Sequence, residues 1–341
     1  MKNLGFENVI IVRKPTRLEQ LKSRFNTKEQ AKFYIQQNKI AFTEKKMAKS
    51  FAKMDKEEIF AEQQAAVEEA EVEYKNYELE NINFYTSLSI VEKKLSSILK
   101  VKILYQDYLP SYVFGPQDMI VVLGQDGLVA NTAKYVDGLP IIGINPDPSR
   151  YDGILLKYNT ENFLEAVNNL LNNRYKAKYI TMAEAKLNDG QHLLAFNDFF
   201  IGINSHASAQ YSISYKGTKE YQSSSGVIVS TGAGSTGWLS SFYNMTKGFL
   251  NSFAPNVQLN SFVFSQDSNY LMFVVREPFV SRTSQASIVV GKIALNEILK
   301  IESNMPQNGV IFSDGIQKDF LEFNVGTIAE IGVAKQKAVL I

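Results

Sequence analysis

Val9-Ile10-Ile11-Val12 is a short β-branched run that stops at Arg13-Lys14-Pro15-Thr16 and gives way to a polar, helix-forming stretch. That order predicts strand, turn and helix. Ile90 to Leu99 has the spacing of an amphipathic helix, and Val101 to Tyr105 reads as the strand after it. Asp118-Met-Ile-Val-Val-Leu123 is an almost unbroken apolar run. A strand covered on both faces, as in a parallel sheet, has that texture. It ends in Gly124-Gln125-Asp126-Gly127, passes into a helical pattern from Leu128 to Lys134, and is followed by an apolar strand from Leu139 to Ile144, closed by Asn145-Pro146. Strand, glycine turn, helix and strand make a βαβ unit, whose crossover is right-handed.

The texture changes after about residue 155. A helix from Glu161 to Asn172 precedes short strand-like segments parted by Gly, Asn and Ser: Tyr179 to Met182, Leu193 to Ile203, Ala209 to Tyr215 and Gly226 to Ser230. Ser261 to Phe264, Tyr270 to Val275, Ala286 to Val290 and Glu297 to Ile301 follow, and Thr327 to Ile341 reads as a last strand. This pattern predicts an antiparallel β domain. The expected organisation is an α/β domain with a parallel sheet over residues 1–155, a β-sandwich over 156–325, and a segment, 326–341, that returns to the first domain. Lysines dominate Lys39 to Lys56, and acidic residues dominate Asp55 to Glu80, where Ile59, Phe60, Gln63, Val67, Ala70 and Tyr74 recur at helical spacing. We read 39–80 as an insertion of one or two long helices with a solvated charged face, in preference to a tail that recruits a partner. An oligomer contact would also fit.

Composition removes several function classes. Net charge is +1 from 36 basic and 35 acidic residues. No large positive field exists to hold a nucleic-acid backbone, so nucleic acid is not an expected partner. Cysteine is absent, which excludes disulfides, thiolate metal sites and a thiol nucleophile. The apolar run near the N-terminus is too short for a signal peptide or membrane span. A cytoplasmic protein without membrane attachment is therefore expected. The two histidines, His192 and His206, lack a Gly-x-Ser-x-Gly elbow or a carboxylate spacing that would make a hydrolase or zinc site.

Three clusters carry candidate chemistry. Gly124-Gln125-Asp126-Gly127 lies where a buried strand meets a helix, the place at which open parallel sheets bind ligands. Small residues and a helix N-terminus favour a phosphate there, and Asp126 would either hold Mg²⁺ or take a proton from an attacking hydroxyl. A plain Asp-Gly turn is an equal reading of those four residues. Val227 to Val229 feeds Ser230-Thr-Gly-Ala-Gly-Ser-Thr-Gly237, a loop of small residues and hydroxyls that ends at the only tryptophan, Trp238. Such a loop admits a flat or charged ligand. Asn197-Asp198 interrupts an apolar stretch with an amide and a carboxylate suited to ribose hydroxyls, or with a simple turn. Arg276 and Arg282 are either a phosphate clamp or surface partners of Glu277 and Asp267, and Trp238 fits the β core better than a base stack.

In this order the clusters resemble the NAD kinase family. Gly124 to Gly127 is similar to its Gly-Gly-Asp-Gly motif, Asn197-Asp198 to its Asn-Glu motif, Val227 to Trp238 to its strand and Thr-Gly-Ser loop, and Ser313-Asp314-Gly315 to its late Asp-Gly. Asn145-Pro-Asp-Pro-Ser-Arg150 and Arg276-Glu277-Pro278 with Arg282 look like segments of the mitochondrial-type branch. The resemblance runs from about residue 100 to the C-terminus and omits the 39–80 insertion. It implies that ATP phosphates sit at Gly124, Gln125, Gly127 and Asn145, with Mg²⁺ near Asp126. NAD would lie against Asn197, Asp198, Thr231, Gly234, Ser235 and Thr236. Asp126 would activate the 2′-hydroxyl of the adenosine ribose, giving NADP, in a homodimer or larger assembly. Departures are Gln125 for the second glycine, Leu128 for a threonine, Asp198 for a glutamate, and Asn204 to Ser208 where an arginine is common. They leave two alternatives: a related kinase for a lipid, sugar or other nucleotide, and a nucleotide-binding protein without catalysis.

Overall fold

The computed structural model describes residues 5–25, 27–47 and 56–341. The chain begins with β1 (Asn8–Arg13), α1 (Arg17–Lys22), α2 (Lys28–Met47) and α3 (Lys56–Ser96), then β2 (Lys100–Tyr105), β3 (Asp118–Leu123), α4 (Asp126–Ala133), β4 (Pro140–Ile144) and α5 (Phe163–Leu171). Next come β5 (Lys178–Leu187), β6 (His192–Ala195), β7 (Asp198–Ile203), β8 (Ala209–Tyr215), β9 (Thr218–Ser224) and β10 (Val227–Ser230). After α6 (Trp238–Phe253) the strands are β11 (Tyr270–Val275), β12 (Val290–Ala294), β13 (Leu299–Ser303), β14 (Gly309–Ser313), β15 (Ile316–Glu322) and β16 (Ile328–Leu340).

β1, β2, β3 and β4 pair in parallel, in the order β2-β1-β3-β4. Every residue of β3 is buried, as its unbroken apolar run requires. β16 adds to β4 in parallel at Val339 and Leu340, and pairs antiparallel with β5 and β13. The same sheet therefore continues through β13, β8 and β9. A second sheet, β12-β11-β10-β7-β14-β15, is antiparallel throughout. Phe199, Tyr211, Phe273, Ile301 and Phe323 fill a core made by residues of both sheets. The architecture is thus an α/β unit with a parallel sheet plus a β-sandwich.

The insertion is a pair of antiparallel helices. Lys28 faces Glu78, Lys32 faces Glu71, and Lys39 faces Glu69 and Glu73. Buried Ala31, Ala66 and Ala70 let the two backbones approach. Part of the lysine-rich stretch, residues 48–55, lies outside the described residues. Ile90 to Leu99 is not a separate helix, because α3 contains no Gly or Pro and runs on to Ser96. Phe84, Leu88, Val91 and Leu95 of its last turns pack on the parallel sheet. Leu193 to Ile203 divides into β6 and β7, which belong to different sheets. Ser261 to Phe264 is unpaired, and the strand expected at Ala286 to Val290 begins only at Val290. Among the described residues no helix is long and apolar enough to cross a membrane.

Candidate functional site

Because β1, β3 and β4 are parallel neighbours, their carboxyl ends lie side by side. Three segments meet there: Lys14-Pro15-Thr16, Gly124 to Gly127, and Asn145 to Asp147. Gln125 is the N-cap of α4, with extended backbone, and the turn is held by Gly124 N–H donating to Ile144 O at 3.3 Å. The amides of Asp126 and Gly127 open the helix, where no intrahelical acceptor exists. A Cβ on Gly127 would meet nothing within 4 Å, so this side of the turn is open. Asp126 accepts Ile154 N–H at 3.0 Å and Leu155 N–H at 2.9 Å, one bond to each carboxylate oxygen. Two amides fix the carboxylate while leaving it capacity for further donors.

Gln125 and Asn145 are both tied to protein. Gln125 Oε1 accepts from Lys14 Nζ at 2.5 Å. Asn145 donates from Nδ2 to Tyr151 O at 2.8 Å and accepts Asp147 N–H at 3.0 Å, which shapes the loop after β4. Leu128 packs its side chain against Gly124 and is buried.

The second candidate group surrounds the crossing between sheets. Asp314 sits at φ 55 in the hairpin between β14 and β15, next to Gly315 at φ 71. Its carboxylate accepts Phe196 N–H at 3.0 Å, Asn197 N–H at 2.6 Å and Asp198 N–H at 3.4 Å, which pins the point where β6 hands over to β7. Lys134, the C-cap residue of α4, is buried, 2.8 Å from Ser313 Oγ, 3.6 Å from Asp319 and 4.0 Å from Asp314. Burial drives the Lys134 pKa down, opposed by both aspartates. Asp198 is 9% exposed, and burial, with Asp314 alongside, pushes its carboxyl up to about 7. Burial also raises Asp314, but Lys134 and three amides oppose that shift. Of the pair, Asp198 is the one that takes the proton.

One short helix therefore joins the two groups. α4 is eight residues long, about 12 Å. Its first turn carries Asp126, and its C-cap reaches the hairpin that holds Asn197 and Asp198.

The 231–237 loop packs against the same crossing. Thr231 and Ser235 are fully buried. Thr231 Oγ1 donates to Phe196 O at 2.6 Å, and Ser235 Oγ donates to Gly232 O at 2.7 Å, so these hydroxyls hold backbone. A Cβ on Gly234 would lie 2.2 Å from Asn197 O. Thr236 is exposed and opens on a cleft of about 710 Å³ beside Gly232, Ala233, Phe264, Lys178 and Lys337. Trp238 stacks on Phe200 at 6.0 Å, on the outer face of the antiparallel sheet, with the Arg276 guanidinium 5.5 Å above it. Arg276 thus has an aromatic neighbour that neither expected reading foresaw. His192, His206 and Arg282 are exposed.

Sequence reading missed Lys14, Glu80, Lys134 and Tyr151. Lys14 had a signal: it directly follows a strand parallel to β3, so its backbone had to end beside the Gly124 turn. Glu80 had none, since it arrives from a helix remote in sequence.

An α/β unit carrying an Asp-bearing glycine turn is thus fused to a sandwich that shares its sheet. No family model and no curated protein matches the chain. Solved structures do. An NAD kinase from Archaeoglobus fulgidus in complex with ATP superposes with a TM-score of 0.50 at 17% identity, covering 74% of this chain and 88% of that one. Yeast NADH kinase complexed with NADH superposes with a TM-score of 0.52 at 15% identity, covering 76% and 79%. The chain has the NAD kinase fold.

Proposed function

We propose that the protein is a kinase that transfers the terminal phosphoryl group of ATP to the 2′-hydroxyl of the adenosine ribose in NAD or NADH. The observation that carries this reading is the placement of Asp126: a carboxylate held by two amides in an open glycine turn, on a helix whose other end braces Asn197-Asp198. The fold shared with an ATP-bound NAD kinase and an NADH-bound kinase supports donor and acceptor classes alike.

Opening amides at the start of α4 would bind donor phosphate oxygens. Asn197 and Asp198, with the exposed side of the Thr231 to Thr236 loop, would orient the dinucleotide, and Gly234 would keep that loop seated on Asn197. Asp126 would accept the proton of the ribose hydroxyl as that oxygen attacks phosphorus, so that positioning and charge stabilisation supply the rate. Mg²⁺ fits as an ion shared with the donor. Among the described residues no group of three or more His, Asp or Glu converges to cage a metal, whereas Asp126 keeps unused acceptor capacity and Mg²⁺ commonly binds one or two carboxylates plus phosphates and water. When bound it would neutralise charge on the phosphates.

The test is NADP(H) formation from NAD or NADH with Mg-ATP, comparing Asp126→Asn with the parent chain. We expect kcat to fall about 10²–10⁴-fold, with ATP still bound. Full activity in the folded variant would rule out Asp126 as proton acceptor, and absence of product from the parent chain would rule out the acceptor itself.

A further inference from the structure

The carboxyl end of β1 holds a cation that the mechanism above does not use. Lys14 is half-buried, and its ammonium meets the carboxamide of Gln125 at 2.5 Å. Burial pulls the Lys14 pKa down, and Glu80 opposes this. Glu80 comes from α3 and is 8% exposed. Its Oε1 accepts from Tyr151 Oη at 3.1 Å, while Oε2 is buried without a hydrogen bond, 3.8 Å from Arg17 Nε. Lys14, Glu80, Gln125 and Tyr151 line one cavity of about 30 Å³, room for a water molecule or two.

This arrangement leaves charge incompletely matched. A neutral carboxamide is a weak partner for a desolvated ammonium, and a phosphate oxygen is a much stronger one. Glu80 puts a negative charge near Lys14 that opposes the effect of burial, with no ion pair between the two side chains. Gln125 meanwhile fills the space next to the turn, lining the same cavity.

Resting on the kinase reading, we propose that Lys14 binds the donor's terminal phosphates at this turn. Gln125 is the side chain that holds Lys14 until the donor displaces it, and Glu80, carried by the inserted helix α3, is the positioning residue for Lys14. The insertion thereby completes the donor site, although its sequence bears no phosphate motif.

The experiment is calorimetric titration of the full-length chain with Mg-ATP and, separately, with inorganic tripolyphosphate, alongside NADP(H) kinetics. Lys14→Met should weaken both ligands at least tenfold and raise KM for ATP while leaving KM for NAD unchanged. Gln125→Gly should tighten tripolyphosphate a few-fold, because the competing carboxamide is gone. Glu80→Gln should move the alkaline loss of ATP affinity to lower pH, since Lys14 then deprotonates more easily; a merely structural role would leave that limb in place. The inference is overturned if folded Lys14→Met binds both probes like the parent, or if Gln125→Gly weakens them. Lys14-dependent binding without NADP formation keeps this inference and removes the NAD reading. NADP formation unaffected by Lys14→Met does the reverse, and a parent chain that binds neither probe removes both.

Discussion

Asp198 and Asp314 are buried carboxylates set against each other at the point where the chain changes sheets, and their unequal surroundings decide which one keeps its charge. Asp314 has three amides and a lysine; Asp198 has burial and a like charge. With its folded pKa near 7 against an ordinary value of 3.8, Asp198 keeps a proton that the unfolded chain releases. Folding is therefore penalised as pH rises from about 4, and the penalty is complete above about 7. Asp198→Asn should raise thermal stability at pH 8 by about 2–4 kcal/mol and leave it nearly unchanged near pH 4, as measured by melting at both pH values. Gly234 offers a different residue-scale test. Its Cβ would strike the backbone oxygen of Asn197, which cannot yield without moving the crossing. Gly234→Ala should cost about 1–3 kcal/mol in denaturant unfolding, whereas Gly127→Ala, facing open space, should cost much less.

At the scale of elements, α3 lays its last turns on the parallel sheet, and Arg13 fastens it there. Arg13 is 1% exposed, ion-paired with Glu19, and ringed by Phe84, Tyr85 and Tyr105 at 4.6, 5.2 and 4.8 Å. Arg13→Met should lower unfolding free energy by about 3 kcal/mol in a denaturant titration, because Glu19 loses its cation and the rings lose their charge partner. How legible each element was depended on how local its cause is. β1, β3 and β4 announce themselves because both faces are apolar, and the start of α4 is marked by its glycines. A turn at Asn197-Asp198 was one of the readings the pair allowed, but the change of sheet there was hidden, since Asp314, which pins the crossing, lies more than a hundred residues away. α6 was missed because the Gly/Ser loop before it masks its start, and it buries little beyond Leu239. In the candidate site, Asp126 and Asn197-Asp198 were readable as polar residues in apolar surroundings. Lys134 and Glu80 were not, because helical charge usually faces water.

At the scale of the whole molecule, β16 is the member that both halves share. Lys337 to Leu340 pairs with Thr181 to Lys178 of β5, while Val339, Leu340 and Ile341 bond the edge of β4. Deleting residues 337–341 should therefore destabilise the α/β unit and the sandwich together. Hydrogen exchange ought to report faster opening in β4 and in β5 alike, and a change confined to one of them would show that the two halves are held by something else.

A strand shared across the junction also limits how the protein can breathe. Two lobes linked by a flexible tether can gape like a clamshell, whereas lobes that share a strand are held to smaller movements, with the register shift between Val333 and Lys337 as the place where the ladder gives. On the proposed kinase reading, a dinucleotide would gain entry by displacing side chains and peripheral segments around this frame, with turnover paced by local gating more than by wholesale lobe closure.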